Sequence, residues 1–285
     1  MLDRLRRNWR FINPLRKRIG YIGWLGHKNL GDEAMLLAYR RLFLGIDILP
    51  FRRTQRMELF ERITHMPCFH AVFLGGGTLI HAKEELAFLQ EALKYHRVFV
   101  FGTGVRNPAF WESRQGYQDQ WRQWIEALRR CQYVGVRGPL SKRILNEKGF
   151  QDVEVIGDPA LSLARDKVKP KDKKKKLGIN IGVSSGKVWG NEQDVLEQVV
   201  LFARAMLEKG WEITFVPVLP KDIAYINEAI RMTGHDVPVF QDFLDADKAM
   251  NFMEECDLFV GEKLHSVVLA MCAGTPSIML EYRPK

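Results

Sequence analysis

AVFLGGGTLIHAKEELAFLQEALKYHRVFVFGTG, residues 71–104, holds two short apolar runs, 71–74 (AVFL) and 98–101 (VFVF), each followed at once by a glycine-rich loop. Runs of four β-branched and aromatic residues read as strands, and a helix falls between them. Strand, glycine loop, helix and strand again is the repeating unit of a parallel sheet covered by helices. Working outward, strands are expected at 19–24 (IGYIGW), 46–50, 133–136 (YVGV) and 153–156 (VEVI). In 119–131, Trp121, Trp124, Ile125 and Leu128 recur at one-face helical spacing. Pro139 opens a further helix over 139–148, and Gly149 closes it.

The run KPKDKKKK (169–176) interrupts the alternation. It has no apolar residue and repels itself, so it reads as a solvated linker. A second series follows, with strands at 177–182 (LGINIG), 211–216, 237–240, 258–261 (LFVG) and 277–280 (SIML). Helices are expected at 191–209, 222–233, 245–255 and 265–273. The fold class is therefore α/β, with two Rossmann-like, doubly wound domains facing a cleft. The expected divisions are a basic arm at 1–18, an N-terminal domain at 19–168, the linker, and a C-terminal domain at 177–285. The last strand is expected to end only five residues before Lys285. That leaves a sheet edge uncovered, as in a C-terminal part that is incomplete or completed by a partner.

A chain of 285 residues with 46% hydrophobic and 27% charged residues can bury a sizeable core. The net charge of +9 is concentrated: residues 1–18 and 165–176 carry +6 each, which leaves the remainder at −3. A slightly acidic body disfavours nucleic acid as a partner. Cys68, Cys131, Cys256 and Cys272 are too dispersed for a disulfide framework or a zinc site, which suits a reducing cytoplasm. No apolar run is long enough to cross a bilayer, and MLDRLRRNWRF is not a secretory signal. In residues 1–12, Leu2, Leu5, Trp9 and Ile12 form one apolar helical stripe flanked by arginines. That pattern fits a helix lying on the inner face of a membrane, or one packed on the first domain.

Open parallel sheets bind ligands where strand ends lead into helix N-termini. Three glycine loops stand at such places: Gly23–Glu33 with Gly31, Gly75–Leu79 with Gly76 and Gly77, and Gly102–Gly104. None is a GxGxxG or GxxxxGK[ST] fingerprint, so NAD and ATP are disfavoured and no cofactor is expected. No metal-ligand spacing appears either. After strand 258–261, Lys263 and His265 stand at the start of an apolar helix, where a cation can anchor phosphate and an imidazole can move a proton.

The ordered set GHKNLGDEA (26–34), GGGTL (75–79), GTGVRNP (102–108), VRGPLS (136–141), VIGDPAL (155–161) and GEKLHSVVLAMCAGTPSIMLEYRPK (261–285) resembles the polysaccharide pyruvyl transferase family. The resemblance implies a fold like the type-B glycosyltransferases, with phosphoenolpyruvate bound mainly by the C-terminal domain. It implies transfer of a pyruvyl group to a sugar of a surface polysaccharide or its lipid-linked precursor, with a ketal as product. The family's Arg-Leu-His contacts the donor; here those positions are Lys263, Leu264 and His265, with lysine in place of arginine. Further cations expected at the donor are Arg137, Arg106 and Lys285, beside backbone at Gly31, Gly76, Gly77 and Gly104. Two roles are open to His265, proton donor or phosphate ligand. Two are open to Asp32, base for the acceptor hydroxyl or N-cap of the helix at 32–44. The alternatives are a glycosyltransferase of the same fold and a non-catalytic relative. Against the first, Leu269 stands where many retaining glycosyltransferases place a glutamate.

Overall fold

The computed structural model describes residues 16–52, 54–113, 117–166, 175–184 and 188–282. Arm residues 1–15, residues 167 and 168, linker residues 169–174 and Lys285 lie outside the described residues. Six strands form the first sheet: β1 (Arg18–Ile22), β2 (Asp47–Pro50), β3 (Ala71–Leu74), β4 (Val98–Thr103), β5 (Tyr133–Val136) and β6 (Glu154–Val155). Their order is β2-β1-β3-β4-β5-β6, and every pairing is parallel. The connecting helices are α1 (Leu30–Leu42), α2 (Gln55–Thr64), α3 (Lys83–Tyr95), α4 (Pro108–Trp111), α5 (Trp121–Leu128) and α6 (Pro139–Glu147). A strand covered on both faces reads as mostly apolar, and β1 is buried throughout, with Ile19, Tyr21 and Ile22 in the core. Trp124 and Leu128 of α5 join Val98 and Val100 of β4 in one core.

The second sheet has the order β10-β9-β7-β8, again all parallel, from β7 (Lys176–Asn180), β8 (Glu212–Phe215), β9 (Leu258–Gly261) and β10 (Ser277–Met279). Its helices are α7 (Glu192–Glu208), α8 (Asp222–Thr233), α9 (Ala246–Glu255) and α10 (Leu264–Cys272). The strand expected at 237–240 is reduced to one bridge, Phe215 to Val239. Pro238 has no N–H to give a ladder, so only the bonds from Phe215 N–H to Pro238 O and from Phe240 N–H to Phe215 O form.

The chain divides into two compact units. One holds residues 16–24 and Tyr39–Pro159; the other holds Leu25–Ala38 and residues 160–282. This differs from the expected 19–168 because the apolar face of α1 belongs to the second core. Leu30, Ala34, Met35 and Ala38 pack with Val216, Leu219, Met250 and Leu269. Among the described residues no helix is long and apolar enough to cross a membrane.

Candidate active site

In the second unit, Asn180 ends β7 fully buried and ties three chain segments together. Its Oδ1 accepts the Lys263 backbone N–H at 2.9 Å and the Ser266 hydroxyl at 3.0 Å, while its Nδ2 donates to Val216 O at 2.8 Å. These bonds fix where α10 begins, with Lys263 as its N-cap residue. Two residues on, His265 is half-buried and lies against the first turn of α1. A Cβ on Gly31 would stand 2.1 Å from His265 Nδ1, so the imidazole occupies the space that only glycine leaves open.

The start of α1 is itself held in this unit. Asn29 Oδ1 accepts the Gly31 N–H at 2.9 Å, and Leu30 N–H donates to Val218 O at 3.0 Å. The capping side chain is thus Asn29, and Asp32 sits inside the first turn with 7% of its surface exposed. His265 therefore meets the amino ends of two helices, whose dipoles favour anions. Leu264 packs against the core beneath α10.

Lys263 is turned inward. Its ammonium donates to Val183 O at 3.0 Å and Ser184 Oγ at 2.8 Å, and stands 5.0 Å from the centre of the Tyr282 ring. Two buried carboxyls flank it. Asp222 accepts backbone N–H bonds from Leu219 (2.9 Å), Val183 (3.1 Å) and Val218 (3.2 Å). Glu262 accepts the Gly182 N–H at 2.9 Å and the Ser184 hydroxyl at 3.4 Å. Burial pushes both carboxyls above their ordinary range; Lys263 and the donated bonds pull them back. Asp222 adds to the upward push on Glu262. A side chain on Gly182 would strike Asp222 and Lys263 at 2.5 and 2.6 Å, so the cluster is closely packed.

The remaining expected residues stand in the first unit. Arg137 is 9% exposed in its side chain, with Nη1 3.4 Å from Asp158 Oδ2 and Nη2 donating to Thr78 Oγ1 at 3.1 Å. Gly104 lies under that guanidinium and gives its N–H to Gly77 O at 2.7 Å. Gly76 donates to the Tyr21 hydroxyl at 3.2 Å, and a Cβ on Gly75 would sit 2.0 Å from the Tyr21 ring. Arg106 is half-buried with its guanidinium 5.1 Å from the centre of the Trp111 ring. His81 follows the same loops. It is buried, with φ +70°, stacks on Trp121 at 4.3 Å, and accepts the Gln120 N–H on Nε2 at 3.3 Å. Burial lowers its pKa.

Sequence reasoning did not weigh Asn180, Ser184, Asp222 or Ser266. One signal was present: an asparagine in the otherwise apolar run LGINIG. Asp222 caps the nearby Val218 and Leu219 N–H groups, but its contact with Val183 comes from a segment remote in sequence and has no local signature.

Among solved structures, the chain is similar to a functionally uncharacterised protein of Klebsiella pneumoniae, with 16% identity, TM-score 0.51, and coverage of 98% of this chain and 86% of that one. A putative UDP-N-acetylglucosamine 2-epimerase of Listeria monocytogenes matches at 12% identity and TM-score 0.58, over 93% and 78% of the two chains. The MnaA–UDP structure of S. aureus matches at 12% identity and TM-score 0.53, over 94% and 80%. At such identities the likeness is one of fold alone, an α/β architecture with two parallel sheets. No curated protein matches the sequence. The sequence model of one family, polysaccharide pyruvyl transferase, matches residues 29–284, nearly the whole chain, and the chain belongs to that family.

Proposed function

We propose that this protein transfers a pyruvyl group from phosphoenolpyruvate to a sugar of a surface polysaccharide or its lipid-linked precursor. The observation that carries the reading is the position of His265 against Gly31, at the amino ends of α10 and α1 in one unit. Phosphate and carboxylate are the anions such helix ends attract. His265 protonates the methylene carbon of the donor, and a sugar hydroxyl adds to the cationic C2 and gives up its proton. Phosphate then leaves, and a second hydroxyl of the same sugar closes the ketal. Of the two hydroxyl protons released, one balances the proton placed on the methyl group and the other leaves with phosphate. Asp32 accepts the proton of the attacking hydroxyl.

A nucleotide-sugar donor is the rival. Leu269 is fully buried in the second core and has no oxygen to offer a ribose. The test incubates the protein with phosphoenolpyruvate and a bacterial glycan, and separately with UDP-sugars, and follows phosphate release and product mass. Expected is acceptor-dependent phosphate release with a pyruvate ketal on the glycan. Sugar transfer from a UDP-sugar, with no phosphate released from phosphoenolpyruvate, would replace this reading.

A further inference from the structure

The amino ends of the first sheet's strands form an edge at which large apolar and basic side chains are exposed together. In the order β2-β1-β3-β4, the pairs Arg18–Asp47, Ile19–Ala71 and Val72–Val98 bring four strand starts side by side, spanning about 14 Å. The segments leading into these strands present large apolar side chains to solvent. Leu42 is 49% exposed and Leu44 83% ahead of β2; Ile63 is 68% and Met66 49% ahead of β3; Tyr95 is 54% ahead of β4. Exposed cations stand among them: Lys17, Arg40, Arg41, Arg62 and Arg97. Acidic neighbours are already engaged, Asp47 with Arg16 at 3.0 Å, Glu91 with Lys94 at 2.7 Å, and Glu61 with the Cys68 N–H at 2.8 Å.

Cations at the last turns of α1 and α2 complement the helix dipoles, which accounts for Arg40, Arg41 and Arg62. That account leaves Leu44, Ile63 and Tyr95 unexplained. We infer that this edge of the first unit rests on an anionic lipid surface. Aliphatic and tyrosine side chains enter the headgroup layer, and the cations reach lipid phosphates. Lipid fits better than a protein partner because the apolar groups are interleaved with basic residues. The preceding chain also favours it: Arg16 enters β1 at this same edge, and residues 1–15 carry four arginines around Leu2, Leu5, Trp9 and Ile12. The inference stands apart from the donor chemistry.

The test is cosedimentation of the full chain with phosphatidylcholine vesicles, with and without phosphatidylglycerol, at low and high salt. Two variants accompany it, Leu44→Asp/Ile63→Asp and Arg40→Glu/Arg41→Glu. The wild type should pellet only with anionic vesicles at low salt, and each variant should bind about tenfold less or weaker still. Thermal unfolding without lipid should match the wild type for the aspartate pair and fall only slightly for the glutamate pair, which reverses a favourable charge at the end of α1. Should the aspartate pair melt early, Leu44→Gln/Ile63→Gln replaces it and must show the same direction of loss. No pelleting by the wild type overturns the inference. So does wild-type pelleting by both variants, which would leave attachment to residues 1–15 alone. Self-association without lipid that the Leu44/Ile63 change abolishes would overturn it in favour of a protein interface. No arm uses phosphoenolpyruvate, so failure here is separable from failure of the proposed reaction.

Discussion

The loops at the carboxyl ends of the two sheets look alike in sequence, both short, glycine-bearing and followed by helices, yet they are filled differently. In the first unit the space beside the glycines is taken by the protein's own inert or paired groups: Tyr21 against Gly75, Pro159 against Gly102, and Arg137 over Gly104. In the second unit Gly31 makes room for an imidazole and Gly182 for a lysine and a carboxylate. Glycine in a strand-to-helix loop thus reports a close approach without saying what approaches. The first set of glycines is covered by two rings and a guanidinium, the second by an imidazole, a lysine and a carboxyl.

That contrast can be broken most directly at His265. His265→Ala should lower phosphate release from phosphoenolpyruvate by about 100- to 10,000-fold with little change in thermal midpoint. Gly31→Ala, which drives a methyl into the ring, should lose activity in the same direction. Wild-type turnover in either variant would remove the imidazole from the reaction. Next in size is Arg137→Ala, which removes a nearly buried cation from Asp158 and Thr78 and should cost about 3 kcal/mol in denaturant unfolding. If it instead kept its stability and lost turnover, the first unit's loops would be catalytic after all. A smaller effect is expected for Lys263→Arg. The sequence alone favours retained or improved activity, since arginine is the family residue. The packed surroundings of Lys263, with Gly182 behind it, predict instead a stability loss of about 1–3 kcal/mol.

The subtlest test is the pH dependence of Glu262→Gln. Glu262 titrates above its ordinary 4.5 in the folded protein, chiefly through burial, so the folded state holds the proton more tightly. Its contribution to stability is fully present below the unfolded value and falls as pH rises through the folded one. Glutamine cannot ionise. The variant should therefore gain stability relative to wild type as pH is raised from 4.5 through the folded value, followed by thermal unfolding across that range. A difference that does not vary with pH would mean that Glu262 does not titrate differently on folding.

Much of the fold was readable because both sheets are parallel and their central strands are buried, so these show as short apolar runs. The runs at 71–74, 133–136 and 258–261 match β3, β5 and β9 to the residue. The run at 237–240 misled because its alternation is apolar while its proline cannot support a ladder. The assignment of Leu25–Ala38 to the second unit was not readable, since the apolar stripe of α1 does not reveal which core it enters. For the same reason the motifs at 26–34 and 261–265 were visible separately, but the contact between Gly31 and His265 was not. The inward turn of Lys263 depends on Val183, Ser184 and Tyr282, whose positions come from two segments remote from it in sequence.

The allocation of α1 also affects synthesis. Leu30, Ala34, Met35 and Ala38 leave the ribosome early, but their partners Val216, Leu219 and Leu269 are translated much later. At typical elongation rates, on the order of ten seconds or more pass between Ala38 and Val216. Through that interval the helix has an apolar face with nothing of its own core to cover it. It is then a target for chaperones and proteases, and any slowing of translation between β2 and β8 lengthens the exposure. The vulnerable moment in the life of this protein therefore falls on the nascent chain, before the second sheet exists.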